Sequence, residues 1–427
     1  MGQSLRETQE KTNEFKGFKW ETDIRKEMGK QWKLLAFFFI TAMAILIRVS
    51  GYSFGSGDYN YCLHPWIYYL KHNGNFMGMQ TLVTDYGAPY LYVLSAISYL
   101  PVTLFMYALK TFSVIFDFVC AIYALKIIVK ITKNENLGIL VYGTVLFWPT
   151  VILNSGIWAQ CDAIYAALLL VMFWNFLDDK PKLAMVFFGL ALSLKLQAVF
   201  VLPFLILIYL YEKWNLMQIL YALASFVLIN VPSWFLGLPV THFIKVYIEQ
   251  TGAYNYAVTM NAPTVFAFLP VSEAYYDKVL PWVGTTLVRL GICFAMAILI
   301  FLAIFILKEN RKLTNETFIL LLLFCTLVVP YFLPRMHERY FFVADVVTIL
   351  YIFIKPKRWW LGVLVTFPSC ITYAYFLFLQ EKVPSTFGLQ FMALIMGAAV
   401  IFVTKWLIES ILDAEKNEDA SVEMVEV

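Results

Sequence analysis

Charge is what this sequence has least of. Asp, Glu, Lys and Arg make up 14% of its 427 residues, while hydrophobic residues make up 61%. Soluble domains carry about 25% charged and about 45–50% apolar residues. A chain this apolar cannot clothe a water-facing surface, so its solvent must be lipid. The net charge of +3 lacks the basic excess of a nucleic-acid binder, which argues against that class of partner. Histidine occurs only four times, with no two residues at ligand-like spacing, which disfavours a zinc site. The six cysteines include no CxxC, so a thioredoxin-like or cysteine-metal site is not expected. Cys120, Cys293, Cys325 and Cys370 fall in apolar stretches, where a thiol acts as a small hydrophobe. Cys62 and Cys161 fall in expected outer loops, and their pairing stays open because sequence fixes no Cα distance. No cleavable signal is expected either. About thirty mostly polar residues precede the first apolar stretch and no A-x-A-like site follows it, so that stretch is expected to stay as an anchor. No internal repeat is visible.

What is there in abundance is apolar sequence in span-sized runs. A crossing helix needs about 20 mostly apolar residues. Such runs fall at 33–50, 107–131, 137–154, 161–178, 182–196, 198–211, 215–236, 286–307, 315–333, 338–354, 359–379 and 388–410. The expectation is an all-α, polytopic integral membrane protein of about 11–13 transmembrane helices, the short fifth and sixth runs forming a broken pair. Three regions follow: a basic N-terminal tail (1–32), a transmembrane domain (33–411) and an acidic tail (412–427). Lys and Arg favour the cytoplasmic side. The N-terminal end holds Arg6, Lys11, Lys16, Lys19, Arg25, Lys26, Lys30 and Lys33. Alternating spans then bring Lys126, Lys130, Lys133, Lys180, Lys182, Lys213, Lys308, Arg311, Lys312, Lys355, Lys357 and Arg358 to the same side. Both termini are therefore expected in the cytoplasm of a cell-membrane protein. Two long external segments remain, 51–106 and 237–285. Residues 88–106 are apolar enough to be called a span. They read as interfacial helix, because counting them as a span would turn Lys126, Lys130 and Lys133 outward.

An ionisable residue is costly in lipid, so its position is informative. All four histidines, Asp58, Asp85 and the run Arg335–Met336–His337–Glu338–Arg339 fall in external segments; Asp162 and Lys195 fall at outer span ends. Gly55-Ser56-Gly57-Asp58-Tyr59-Asn60 follows the first span directly, and Asp58 reads as a proton acceptor at the rim or as an ordinary turn aspartate. In Asn154-Ser155-Gly156-Ile157-Trp158-Ala159-Gln160-Cys161-Asp162, Trp158, with Tyr165, suits a sugar-stacking surface, and Gln160 and Asp162 supply hydrogen bonds; Asp162 also suits a helix cap. Lys195 sits between two short apolar runs, where it either snorkels or pairs with an anion. Arg335, His337 and Arg339 run against the positive-inside trend, which favours an anionic ligand such as phosphate over a generic headgroup contact. Lys110, Asp117 and Asp345 lie within spans and need polar partners that the sequence does not name.

In this order, Gly57-Asp58-Tyr59, Asp85-Tyr86 with Pro89, Trp158-x-Gln160-x-Asp162, Lys195 and His337-Glu338-Arg339 resemble the GT-C superfamily of membrane glycosyltransferases, most of all the bacterial proteins similar to GPI-anchor mannosyltransferases. The resemblance runs from about residue 40 to residue 355 and rests on the order of the motifs and their shared membrane side. It implies inverting transfer of a hexose, with mannose as the family preference, from a polyprenyl-phosphate donor on the external face. The acceptor would be a glycan, a lipid-linked glycan or a protein. It implies Asp58 as general base, Arg335, His337, Arg339 and Lys195 on the donor phosphate, and Asp85, Tyr86, Trp158, Gln160 and Asp162 around sugar and acceptor. Metal-using relatives often carry adjacent acids in the first loop. Here Gly57 and Tyr59 flank Asp58, so no metal or other cofactor is expected. The alternative class is a multi-pass transporter or lipid-linked-sugar flippase, which would place its site near mid-membrane between related halves.

Overall fold

The computed structural model describes residues 19–212, 214–252, 258–269, 279–280, 285–379 and 386–416. Expectations placed on Arg6, Lys11, Lys16, Lys213, parts of the second external segment and the acidic tail beyond 416 lie outside the described residues. Contacts divide the chain into two units, residues 1–46 and 47–427. The first contributes most of the helix α1, Lys19–Ser50.

The helices that follow are α2 (His64–His72), α3 (Ala88–Ile97), α4 (Phe105–Thr132), α5 (Glu135–Phe147), α6 (Pro149–Val151), α7 (Asp162–Leu177), α8 (Pro181–Leu194), α9 (Leu202–Tyr211), α10 (Met217–Leu228), α11 (Val231–Phe235), α12 (His242–Gly252), α13 (Leu287–Glu309), α14 (Asn315–Phe332), α15 (Phe342–Ile354), α16 (Trp360–Ala374) and α17 (Thr386–Leu412). Strands β1 (Val279–Leu280) and β2 (Thr285–Thr286) form a short antiparallel pair. The chain is thus an all-helical, polytopic membrane protein. A helix lies over each of the twelve apolar runs. By length and composition seven helices among the described residues can cross a membrane, or eight if the bent pair Glu135–Phe147 and Pro149–Ile157 is one span. The others, such as α7 with 16 residues and α8 with 14, are shorter than a full crossing.

Residues 88–101 hold a helix too short to cross, and residues 102–106 open the candidate span Val102–Thr132. Helix α3 has ten residues, about 15 Å at 1.5 Å per residue, against a hydrocarbon core of about 30 Å. Pro101 then breaks the run before α4 begins. Residues 51–106 pack as a cluster in which Leu63, Ile67, Leu70, Leu91 and Leu94 meet Phe105, Leu109 and Ile164. At the other polar group of loops, Asp178 receives Lys130 at 2.5 Å and Lys180 at 2.6 Å, and Glu316 receives Lys355 at 2.8 Å. All six cysteines are free thiols, so Cys62 and Cys161 are not joined.

Candidate functional site

Four interruptions of helix build the site. The first is the end of α1. Three backbone carbonyls just beyond it, on Gly51, Tyr52 and Phe54, accept hydrogen bonds from the buried Lys110 ammonium at 2.9, 3.3 and 2.7 Å. Carbonyls at a helix C-terminus have no intrahelical partner, and a buried lysine has no water, so each satisfies the other. A Cβ on Gly51 would stand 2.2 Å from Ile157 Cδ1 and 3.3 Å from Gly156 O, so this turn packs closely on the second interruption and a larger residue would displace the Ile157 side chain.

That second interruption is a wide π-helical turn, Ile152–Ile157, after the bend at Pro149. Ser56 donates from Oγ to Trp158 O at 2.7 Å and ties the two interruptions together. Ala159 has a left-handed backbone, φ 67°, unusual for a non-glycine residue. The turn aims two side chains at one atom: Trp158 donates from Nε1 to Asp58 Oδ2 at 3.0 Å, and Gln160 donates from Nε2 to the same oxygen. Among the described residues no hydrogen bond engages Asp58 Oδ1. Trp158 is fully buried between Phe376, stacked at 4.7 Å, and Tyr373, edge-on at 5.1 Å. The stacking surface expected of Trp158 and Tyr165 is therefore absent, since both rings are enclosed by protein. Trp158 instead holds the Asp58 carboxylate.

The third interruption separates α8 from a 3₁₀ turn at Leu196–Val201, with Lys195 extended between them. Lys195 neither snorkels nor stands free. Its Nζ is bound to Asp162 Oδ1, and Asn154 Nδ2 donates to Asp162 Oδ2 at 2.9 Å. The fourth lies between α14 and α15, where Arg335 takes a left-handed backbone, φ 62°, and donates its N–H to Val258 O at 2.8 Å. Arg339 reaches from there into the centre. It stands 4.0 Å from Asp58 Oδ2, 3.9 Å from Asp162 Oδ2 and 3.3 Å from Glu338 Oε1, with Trp158 beneath its guanidinium at 5.5 Å. Its Nε is buried and makes no hydrogen bond.

A cavity of about 340 Å³ opens beside this cluster. Its polar wall carries Asp85, Lys195, Arg335, His337 and Arg339, and its apolar wall includes Phe200, Val288 and Ile292. Asp85 and Tyr86 arrive on a loop held close by Gly87, where a Cβ would meet Ser193 O at 2.9 Å. Gln250 of α12 donates from Nε2 to Asp85 O. Of the ten residues given site roles from the sequence, Asp85, Tyr86, Lys195, Arg335, His337 and Arg339 line this cavity, whereas Asp58, Trp158, Gln160 and Asp162 do not line it and connect to it through Arg339.

Charge differs from the sequence expectation at two positions. Burial, then the Arg339 and Lys195 charges, push His337 well below the ordinary imidazole value. At neutral pH it is therefore a neutral hydrogen-bonding group and not a third cation. Burial pushes Glu338 up to about 7, with Arg339 pulling the other way. Sequence reasoning gave no role to Glu338, nor to Asn154, and did not find Gln250; the first two stood inside motifs already noted. It also passed over Arg48, whose apolar surroundings were the available signal. Arg48 Nε meets Asp117 Oδ2 at 2.7 Å, both side chains fully enclosed, and Ser155 donates to the same carboxylate. Among the described residues no group of three His, Cys, Asp or Glu side chains is placed to hold a metal ion. No family model matches this sequence, and no curated protein is significantly similar to it.

Proposed function

We propose that this protein is a glycosyltransferase that moves a hexose from a polyprenyl-phosphate donor to an acceptor hydroxyl at the external membrane face. The observation that carries the reading is a carboxylate with one oxygen fixed and one oxygen free, Asp58, 4.0 Å from an arginine that lines a half-apolar cavity. A donor of this class has the matching parts. Its phosphate suits Arg335 and Arg339, with His337 as a neutral hydrogen-bonding group, and its lipid chain suits the wall of Phe200, Val288 and Ile292. Lys195 supports Asp162 and reaches the phosphate only as part of that pair.

In this mechanism Asp58 Oδ1 accepts the proton of the acceptor hydroxyl as its oxygen attacks the anomeric carbon from the face opposite the phosphate. The sugar–phosphate bond breaks, and the leaving phosphate takes the electron pair. Arg339 and Arg335 stabilise that charge in a site already organised before reaction. Gln160 and Trp158 keep Asp58 aimed, and Asp85 and Tyr86 border the space for sugar and acceptor. The preference for mannose comes from the family resemblance alone.

The test is a panel of short-chain polyprenyl-phosphate hexoses offered to the protein in nanodiscs with an envelope extract as acceptor. Release of polyprenyl phosphate is followed for wild type and Asp58→Asn. One donor should be consumed, and the variant should lose about 10²–10⁴-fold in turnover. Undiminished turnover in the variant would remove Asp58 as base. No release from any donor would shift the reading to a transporter of lipid-linked sugar.

A further inference from the structure

Four described carboxyl side chains are buried: Asp117, Asp162, Glu338 and Asp345. Three of them meet a cation of this chain. Asp117 meets Arg48 at 2.7 Å, Asp162 meets Lys195 and lies 3.9 Å from Arg339, and Glu338 meets Arg339 at 3.3 Å. Asp345, one turn into α15 and fully enclosed, meets no cationic side chain among the described residues. It is surrounded by hydroxyl groups instead. Thr366 of α16 donates from Oγ1 to Asp345 Oδ1 at 3.0 Å, and Trp148 Nε1 in turn donates to Thr366 Oγ1 at 2.9 Å. Thr150 of α6 and Ser369 of α16 also face the carboxyl group, and Thr348 stands one turn along α15.

Three of these oxygens have unused capacity. Asp345 Oδ2, Thr150 Oγ1 and Thr348 Oγ1 are buried and make no hydrogen bond. Such atoms are costly in a medium without water. A proton on Asp345 would neutralise the charge and give the new O–H a neighbouring hydroxyl such as that of Thr150 to donate to, but it would leave Thr348 Oγ1 without a partner. A hard cation answers both needs, because it balances the carboxylate and binds several hydroxyl oxygens at once. A single carboxylate balances a single positive charge, which selects a monovalent ion.

We propose that Asp345, Thr150, Thr348, Thr366 and Ser369 form an intramembrane site for a dehydrated alkali cation, sodium being the probe of choice. The site joins α15, α16 and α6 at the bend near Pro149, and it rests on none of the glycosyl-transfer chemistry proposed above. An ion here would lock the helix that begins just after Arg339 to the bend that precedes Trp158.

The test is equilibrium binding of radiolabelled sodium to the full chain in nanodiscs, with potassium, lithium and choline chlorides as competitors, at acid and alkaline pH. Wild type should bind saturably, with alkali cations competing and choline not. Asp345→Asn should abolish binding, and Thr366→Val should weaken it on the order of 10–100-fold, the range for a lost metal-site contact. Should Asp345→Asn fail to fold, Thr366→Val and Thr150→Val decide the matter. Wild type that binds no alkali ion at either pH overturns the proposal, as does binding unchanged in all three variants. Carbodiimide labelling of Asp345 unaffected by sodium would assign the site to a proton and overturn it as well.

Discussion

Glu338 offers a pH-dependent prediction with a definite sign. Its side chain is enclosed, and burial raises its pKa from 4.5 to about 7 in the folded protein. Between those values the native state holds a proton that the unfolded chain has released. The raised carboxyl therefore contributes its full stability below about pH 4.5, and that contribution is lost as pH rises towards 7. At 1.36 kcal/mol per pH unit, the interval from 4.5 to about 7 corresponds to roughly 3 kcal/mol. Glu338→Gln keeps the shape and the hydrogen bonding but cannot ionise. The two proteins should thus be similarly stable near pH 4.5, and the variant should lead by roughly 3 kcal/mol at about pH 8. Tryptophan fluorescence during graded denaturant unfolding in one detergent provides the measurement. Comparing the difference between proteins at two pH values cancels every other titrating group. A difference that does not change with pH would refute the argument. So would a wild type that gains on the variant at high pH, because the ionised Glu338–Arg339 contact at 3.3 Å would then outweigh burial. The functional corollary uses the same charge. Ionised Glu338 competes with phosphate for Arg339, so donor affinity should fall above pH 7 in wild type and stay level in the variant.

Trp158→Phe keeps the ring between Phe376 and Tyr373 but removes the Nε1 donor to Asp58. A hydrogen bond to a charged group is worth about 1.5–3 kcal/mol, so turnover should fall about tenfold or more with the KM for donor little changed, and the unfolding midpoint should drop as well. Lys110→Met releases the carbonyls of Gly51, Tyr52 and Phe54, and steady-state kinetics should show lost turnover with far-ultraviolet circular dichroism unchanged. Arg48→Leu alone leaves Asp117 uncompensated and should destabilise by about 3–5 kcal/mol; adding Asp117→Leu should recover most of that in the same unfolding assay.

The sequence made the helices legible because lipid leaves the backbone little alternative, and apolar length then reports them directly. The site was legible for a related reason. Asp58, Asp85, Asp162, Lys195 and Arg339 are conspicuous in so apolar a chain, and their loops do converge. Roles were harder to read than places. A lone lysine between apolar runs looks the same whether it waits for a ligand or is already paired, and only coordinates link Lys195 to Asp162, 33 residues earlier. Trp158 looked like a platform because sequence reports an aromatic but not which of its faces are covered. His337 was counted as a cation because its charge depends on burial and on Arg339 and Lys195, a property of the assembled loop.

These corrections change how the centre is held. Trp158, Gln160 and Arg339 approach Asp58 from two helix interruptions, and Lys110 and Ser56 fix the loop that carries it. Asp162 is held in the same way by Lys195, Asn154 and Arg339. Breaks in helices supply unsatisfied backbone groups as well as room, so a buried cation such as Lys110 can be neutralised by carbonyl dipoles without a carboxylate. That leaves the carboxylates for other duties. Asp162 is neutralised by the buried Lys195 and so is structural, whereas Asp58 keeps a free oxygen and a single arginine at 4.0 Å. Among the described residues Arg339 alone forms an ion pair with both, through Asp58 Oδ2 and Asp162 Oδ2. When an anion enters the cavity and draws Arg339 towards itself, Asp162 remains balanced by Lys195 but Asp58 does not. In the proposed transfer this leaves the Asp58 carboxylate open to an acceptor hydroxyl as the phosphate binds.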